Sequence, residues 1–282
     1  MNSFEWRTLH ISDKGKFKIS KDQVHQAMQN VAAVGRKFLP KTPYDQQSTL
    51  VWVPGLTRMA GGWVEGEITF RSSISLTSFE VFLVDSKVNT IASFPLEGQT
   101  YLQLMLWLEE QIGKLGLNAS NLTMKLPYEL PIHEIQKGEP FLPMHKRSFE
   151  ELASFYHDSY VCLRELKNTL EGAEEIVIWP HHFDQSLNVT LKDSGDLDTN
   201  TTLSFGMSPG DETFESPYFY VNTWPHVDTS LCSKLSNQAI WVSEEWTGAV
   251  LLAKHIIDAD QKPIIDNFYL EAADKLKKLL ID

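Results

Sequence analysis

The chain has 282 residues, 42% of them hydrophobic, and a formal net charge of −12, which gives it apolar material for one large core or two of ordinary size. No apolar run reaches the roughly 18 residues that a membrane span needs, and the opening Met1-Asn2-Ser3-Phe4-Glu5-Trp6-Arg7 has no basic flank leading into an apolar segment, so a cytoplasmic protein without a membrane partner is expected. Only two cysteines occur, Cys162 and Cys232, which excludes a disulfide framework and a cysteine metal knuckle.

In chain order, Ser20-Lys21-Asp22-Gln23 has the form of a capping box and is followed by Val24, Met28, Val31, Ala32 and Phe38-Leu39 at helical spacing until Pro40. A first helix is predicted there. The runs 49–53, 62–70, 79–84 and 88–94 are short, rich in β-branched and aromatic residues and separated by Gly, Ser, Asp and Asn, the pattern of a meander of strands. A helix over 99–115 follows from Leu102, Met105, Leu106, Leu108 and Ile112, with Gly116 as its stop. Residues 127–147 hold Pro127, Pro131, Pro140 and Pro143 without periodicity and read as a connector between halves 1–126 and 148–282. Ser148-Phe149-Glu150-Glu151 is a second capping box, opening a helix to about Leu170. Strands are then predicted over 175–179, 185–191, 201–207 and 218–223, and Lys262-Pro263 starts a closing amphipathic helix. The fold class is α+β, mainly antiparallel sheet flanked by helices. From Ser20 to Trp52 is 32 residues and from Ser148 to Trp179 is 31, a parallel that allows two similar halves.

The net charge has a location. Residues 171–261 hold 15 Asp and Glu against three Lys, which argues against nucleic acid as a partner and favours a neutral or cationic small molecule. The same stretch holds Trp179-Pro180-His181-His182-Phe183-Asp184, Ser208-Pro209-Gly210-Asp211-Glu212, Tyr218-Phe219-Tyr220 and Trp224-Pro225-His226.

If the first of these is extended, His182 and Asp184 project to one side, and His226 from a neighbouring strand completes a two-His, one-carboxylate face for a divalent ion such as Zn, Fe or Mn. Asp211 or Glu212 then serves as general base for a bound water, in a hydrolase or an oxygenase. A 2-oxoglutarate oxygenase is disfavoured, because no Arg follows Arg164. The competing reading is a non-catalytic binding module in which Trp179, His181, Tyr218, Tyr220, Trp224 and Trp246 line an aromatic pocket with an acidic rim. Strand alternation puts Tyr218 and Tyr220 on one face and Phe219 in the core. No Gly-rich phosphate loop, Gly-x-Ser-x-Gly elbow or His-Glu-x-x-His occurs.

These motifs, with Pro217-Tyr218-Phe219-Tyr220-Val221 and Trp246-Thr247-Gly248-Ala249-Val250-Leu251, resemble a bacterial domain-of-unknown-function family of about this length. The resemblance implies no activity, cofactor or catalytic residue.

Overall fold

The computed structural model describes residues 4–122, 126–244 and 246–281. It is an α+β protein with two antiparallel sheets. Its contacts divide the chain into two compact units, one of Ile11–Ala153 with Ile178–Phe183, the other of Met1–His10, Ser154–Val177 and Asp184–Asp282. The unit boundaries therefore fall elsewhere than at halves 1–126 and 148–282.

The first unit opens with helix α1 (Lys14–Phe38). Its N-cap is Asp13, whose carboxylate accepts the Lys16 N–H at 3.0 Å, the usual way of satisfying an orphan first-turn donor. The expected cap, Ser20, is a fully buried residue inside the helix. Strands β1 (Val51–Val53), β2 (Arg58–Ala60), β3 (Phe70–Ser75), β4 (Glu80–Asp85) and β5 (Thr90–Pro95) form a meander in chain order. The strand expected over 62–70 is reduced to a Val64–Phe70 bridge. Helix α1 covers the sheet face that carries Phe70, Ser72 and Ile74, where the Ser72 hydroxyl donates to Val31 O at 3.3 Å.

Helix α2 (Tyr101–Gly113) begins at a capping box in which Thr100 and Gln103 each satisfy the other's backbone N–H. The proline-bearing stretch 127–147 lies along this unit. Gln99 O accepts the Phe141 N–H, Gln23 accepts that of Leu142 and Glu97 that of Met144.

Helix α3 (Lys146–Lys167) runs from the first unit into the second. After β6 (Val177–Ile178), the second unit contains β7 (Gln185–Lys192), β8 (Thr201–Ser208), β9 (Tyr218–Trp224), β10 (Ile240–Val242), β11 (Gly248–Leu252) and helix α4 (Gln261–Ile281). The sheet order is β10-β11-β9-β8-β7-β6. Helix α4 packs on β8, β9 and β11, burying Phe268, Tyr269, Ala272 and Leu276 with Phe205, Met207, Phe219, Val221 and Leu251. Full burial of a Phe, Leu, Met or Val side chain among these contributes roughly 1.5–3 kcal/mol. The segment before α1 belongs to this unit too: Arg7 N donates to buried Asp158 at 3.0 Å, and Leu9 exchanges hydrogen bonds with the Gln261 amide at 2.7 and 2.8 Å. No described helix is long and apolar enough to cross a membrane.

Candidate functional site

The residues singled out in the sequence fall in both units. Trp179, His181 and His182 belong to the first. There Ile178 exchanges backbone hydrogen bonds with Leu50 at 2.7 and 3.0 Å, and the chain then turns. The Phe183 N–H closes onto Trp179 O at 2.8 Å, and Phe183 takes a left-handed φ of 57°. The buried Pro180 carbonyl accepts from the Gln29 amide at 2.7 Å and from His25 Nε2 at 2.9 Å. A carbonyl only accepts, so the His25 proton sits on Nε2. The Phe183 ring stacks on His25 at 4.8 Å and 4°.

One helical turn of α1, His25 and Gln29, thus clasps this turn. Gln29 also accepts from the Tyr128 hydroxyl at 2.8 Å, and Arg36 donates to that hydroxyl at 3.1 Å and to Asp45 at 2.9 Å. The His181 ring lies 5.3 Å from Tyr128, 5.6 Å from Trp179 and 4.1 Å from His182. Burial pulls both His25 and His181 down to about 4, so both are neutral at neutral pH.

Asp184, Asp211, Glu212, Tyr218, Tyr220, Trp224, His226 and Trp246 belong to the second unit. Alternation along β9 puts Phe219 in the core and Tyr218 and Tyr220 on the opposite face, as expected. The Tyr220 hydroxyl donates to Asp184 Oδ2 in a short hydrogen bond, and that of Tyr218 donates to Asp211 Oδ2 at 2.5 Å. Ring centroids run in sequence along this face, Phe214 to Tyr218 at 5.2 Å, Tyr218 to Tyr220 at 6.2 Å and Tyr220 to Trp246 at 6.1 Å. The last two rings lie down on glycines. A Cβ at Gly206 would stand 2.3 Å from the Tyr220 ring, and one at Gly248 would stand 2.5 Å from Trp246.

Burial, then the neighbouring carboxylates, raises both tyrosines well above their ordinary pKa. Tyr156 is raised by the same two influences, with Asp184 as the carboxylate. These phenols stay protonated at neutral pH.

The expected metal centre does not form. Among the described residues no group of three or more His, Cys, Asp and Glu side chains is placed to hold a metal ion, and His182, Asp184 and His226 are not such a group. Two physical reasons account for this. The segment 179–183 is a turn with a left-handed residue before Asp184, so the alternation that would align 182 with 184 does not apply. Asp184 is engaged by Tyr220, whereas exposed His226 lies beyond the end of β9, six residues farther along the chain. His226 packs against Trp224 at 5.3 Å, and the Trp224 indole donates to Asp198 O at 2.9 Å.

Asp211, expected as a general base, organises its own loop instead. Its Oδ1 accepts the N–H groups of Thr213 and Phe214 at 2.9 and 2.8 Å and its Oδ2 takes the Tyr218 proton. Glu212 is exposed on that loop.

His25, Gln29, Tyr128 and Tyr156 were not singled out in the sequence. Only the His25/Gln29 pair carried a signal, two polar residues four apart beside an apolar helix face. The chain matches no family model, no curated protein and no solved structure.

Proposed function

We propose that this protein is a small-molecule-binding module whose site is the Tyr218–Tyr220–Trp246 face of the second unit, and that it binds a cationic or donor-rich ligand. The observation that carries this reading is the pair of hydrogen bonds from Tyr218 to Asp211 and from Tyr220 to Asp184. Each phenol gives its single proton to a carboxylate, so what remains toward a ligand is acceptor lone pairs, carboxylate oxygens and aromatic faces. Such a surface attracts ammonium groups, by cation–π contact and by charge. The surplus of acidic residues in 171–261 acts in the same direction.

Catalysis is less well supported. The phenols are held protonated, Asp211 is engaged by its loop, and among the described residues His182, Asp184 and His226 do not form a group placed to hold a metal ion.

Calorimetric titration of the full chain with choline, putrescine and a neutral polyol tests the reading. Saturable binding of an amine, weakened by Asp211→Asn and by Trp246→Ala in protein of unchanged fold, is expected. Heat from none of the three, or amine binding indifferent to both substitutions, would refute it. Binding of the polyol alone would keep the acceptor surface and remove the preference for cations.

A further inference from the structure

The outer face of the first unit's sheet carries two arginines whose side chains form no ion pair among the described residues. Helix α1 covers the face of Phe70, Ser72 and Ile74, so Arg71, Ser73 and Ser75 lie on the other. Cross-strand register places Arg58 opposite Ser75, Ala60 and Phe82 on either side of Ser73, and Val84 opposite Arg71. The Arg58 guanidinium lies 3.7 Å above the Phe82 ring centre and that of Arg71 lies 4.4 Å above Trp63.

Among the described residues neither arginine side chain makes a hydrogen bond or an ion pair. Arg71 Nε is buried without a partner, as is Ser73 Oγ, which lies between the two arginines. Burial lowers the pKa of both. At Arg71 no acidic group offsets it, and at Arg58 only Glu80 does, without an ion pair.

Holding a guanidinium partly out of water is costly unless an anion meets it. Stacking on an aromatic ring fixes the plane of the fork and leaves the terminal Nη groups for contact with a carboxylate or phosphate. Arg58 and Arg71 stand on neighbouring strands, and Ser75, opposite Arg58, is four residues from Arg71 on β3, roughly 13 Å between Cα positions. That spacing suits a ligand with more than one oxyanion group.

We infer that this face is a binding site for a small molecule bearing phosphate or carboxylate groups, held by the guanidinium groups of Arg58 and Arg71. It is independent of the amine site proposed above, which lies in the other unit.

The test is titration of the full chain with phosphate, pyrophosphate and citrate at constant ionic strength set with sodium chloride. Heat and the arginine Nε–H NMR signals are followed together. Saturable binding of at least one probe, with the Arg58 and Arg71 signals shifting, is expected. Arg58→Gln and Arg71→Gln should each weaken it about tenfold or more, as loss of a charge-assisted hydrogen bond does, and exposed Lys87→Gln should not. Arg71→Lys, which keeps the charge and the stem, serves if Arg71→Gln unfolds, and it too should weaken binding because the fork is lost.

A second readout separates a ligand site from mere packing. Since the Arg71 charge lacks a partner, Arg71→Met should leave the Tm unchanged or raise it. Absence of binding above the chloride reference, binding unaffected in the arginine variants, or a Tm that falls by several degrees in Arg71→Met would each overturn the proposal.

Discussion

At the scale of single residues, burial sets charge states that make stability depend on pH in opposite directions in the two units. His25 is pulled down to about 4 from an ordinary value near 6.5. Its neutral form is the folded one, so the stability it carries is present above about pH 6.5 and is lost as pH falls toward 4. The slope is up to about 1.4 kcal/mol per pH unit for each such histidine. Acid unfolding followed by circular dichroism should show this loss. His25→Gln, which keeps an N–H for Pro180, should flatten it.

Asp158 behaves in the reverse sense. Buried in α3, it accepts Arg7 N through one oxygen, its other oxygen has no partner among the described residues, and its pKa is pushed up to about 7. A raised carboxylate pKa favours the protonated form in the fold, so stability falls as pH rises from about 4 to 7. Asp158→Asn should match the native chain at pH 4 and have the higher Tm at pH 8. Equal Tm values at pH 8 would show that the carboxylate is better solvated than its burial implies.

Elements were legible where one physical signal dominated. Strands β7, β8 and β9 alternate between an apolar face and a polar one, and the sequence places them to within a residue or so. Helix α2 carries both a cap and a periodic face. Elsewhere two signals competed. Ser20-x-x-Gln23 imitates a helix start, but Asp13 caps the helix about two turns earlier. Strand β11, Gly248-Ala249-Val250-Leu251-Leu252, is buried on both faces and shows no alternation to read.

The expected grouping of His182, Asp184 and His226 is not found among the described residues, for a reason invisible in residue types. Phe183 takes a conformation usual for glycine, and nothing local signals that. The aromatic face was half legible, since the Tyr218/Tyr220 alternation could be read but the carboxylates that take their protons could not. The glycines beneath it supply a test at this scale. Gly206→Ala should cost about 1–3 kcal/mol in chemical denaturation, because its Cβ meets the Tyr220 ring. A cost near zero would mean that the ring moves aside freely.

At the scale of the whole molecule, the units exchange segments of chain. The first is built from residues on both sides of α3. A chain ending at Ala153 lacks the partners of Leu50, His25 and Gln29, and buried polar groups left unsatisfied cost about 1–3 kcal/mol each. Residues 1–153 alone should therefore show a broad, low-temperature transition, sharpened by adding a peptide spanning 176–184. A sharp unassisted transition would show that the returning turn is dispensable.

The clasp on the Pro180 carbonyl also has a consequence in time. A chain made from its N-terminus presents His25 and Gln29 long before the carbonyl that satisfies them, with α3 and β6 still to be synthesised between. Until residue 183 has emerged, the first unit holds a pair of donors whose acceptor lies in its own later sequence. In that interval the His25 Nε2–H and the Gln29 N–H that the Pro180 carbonyl later takes up have only water to bond.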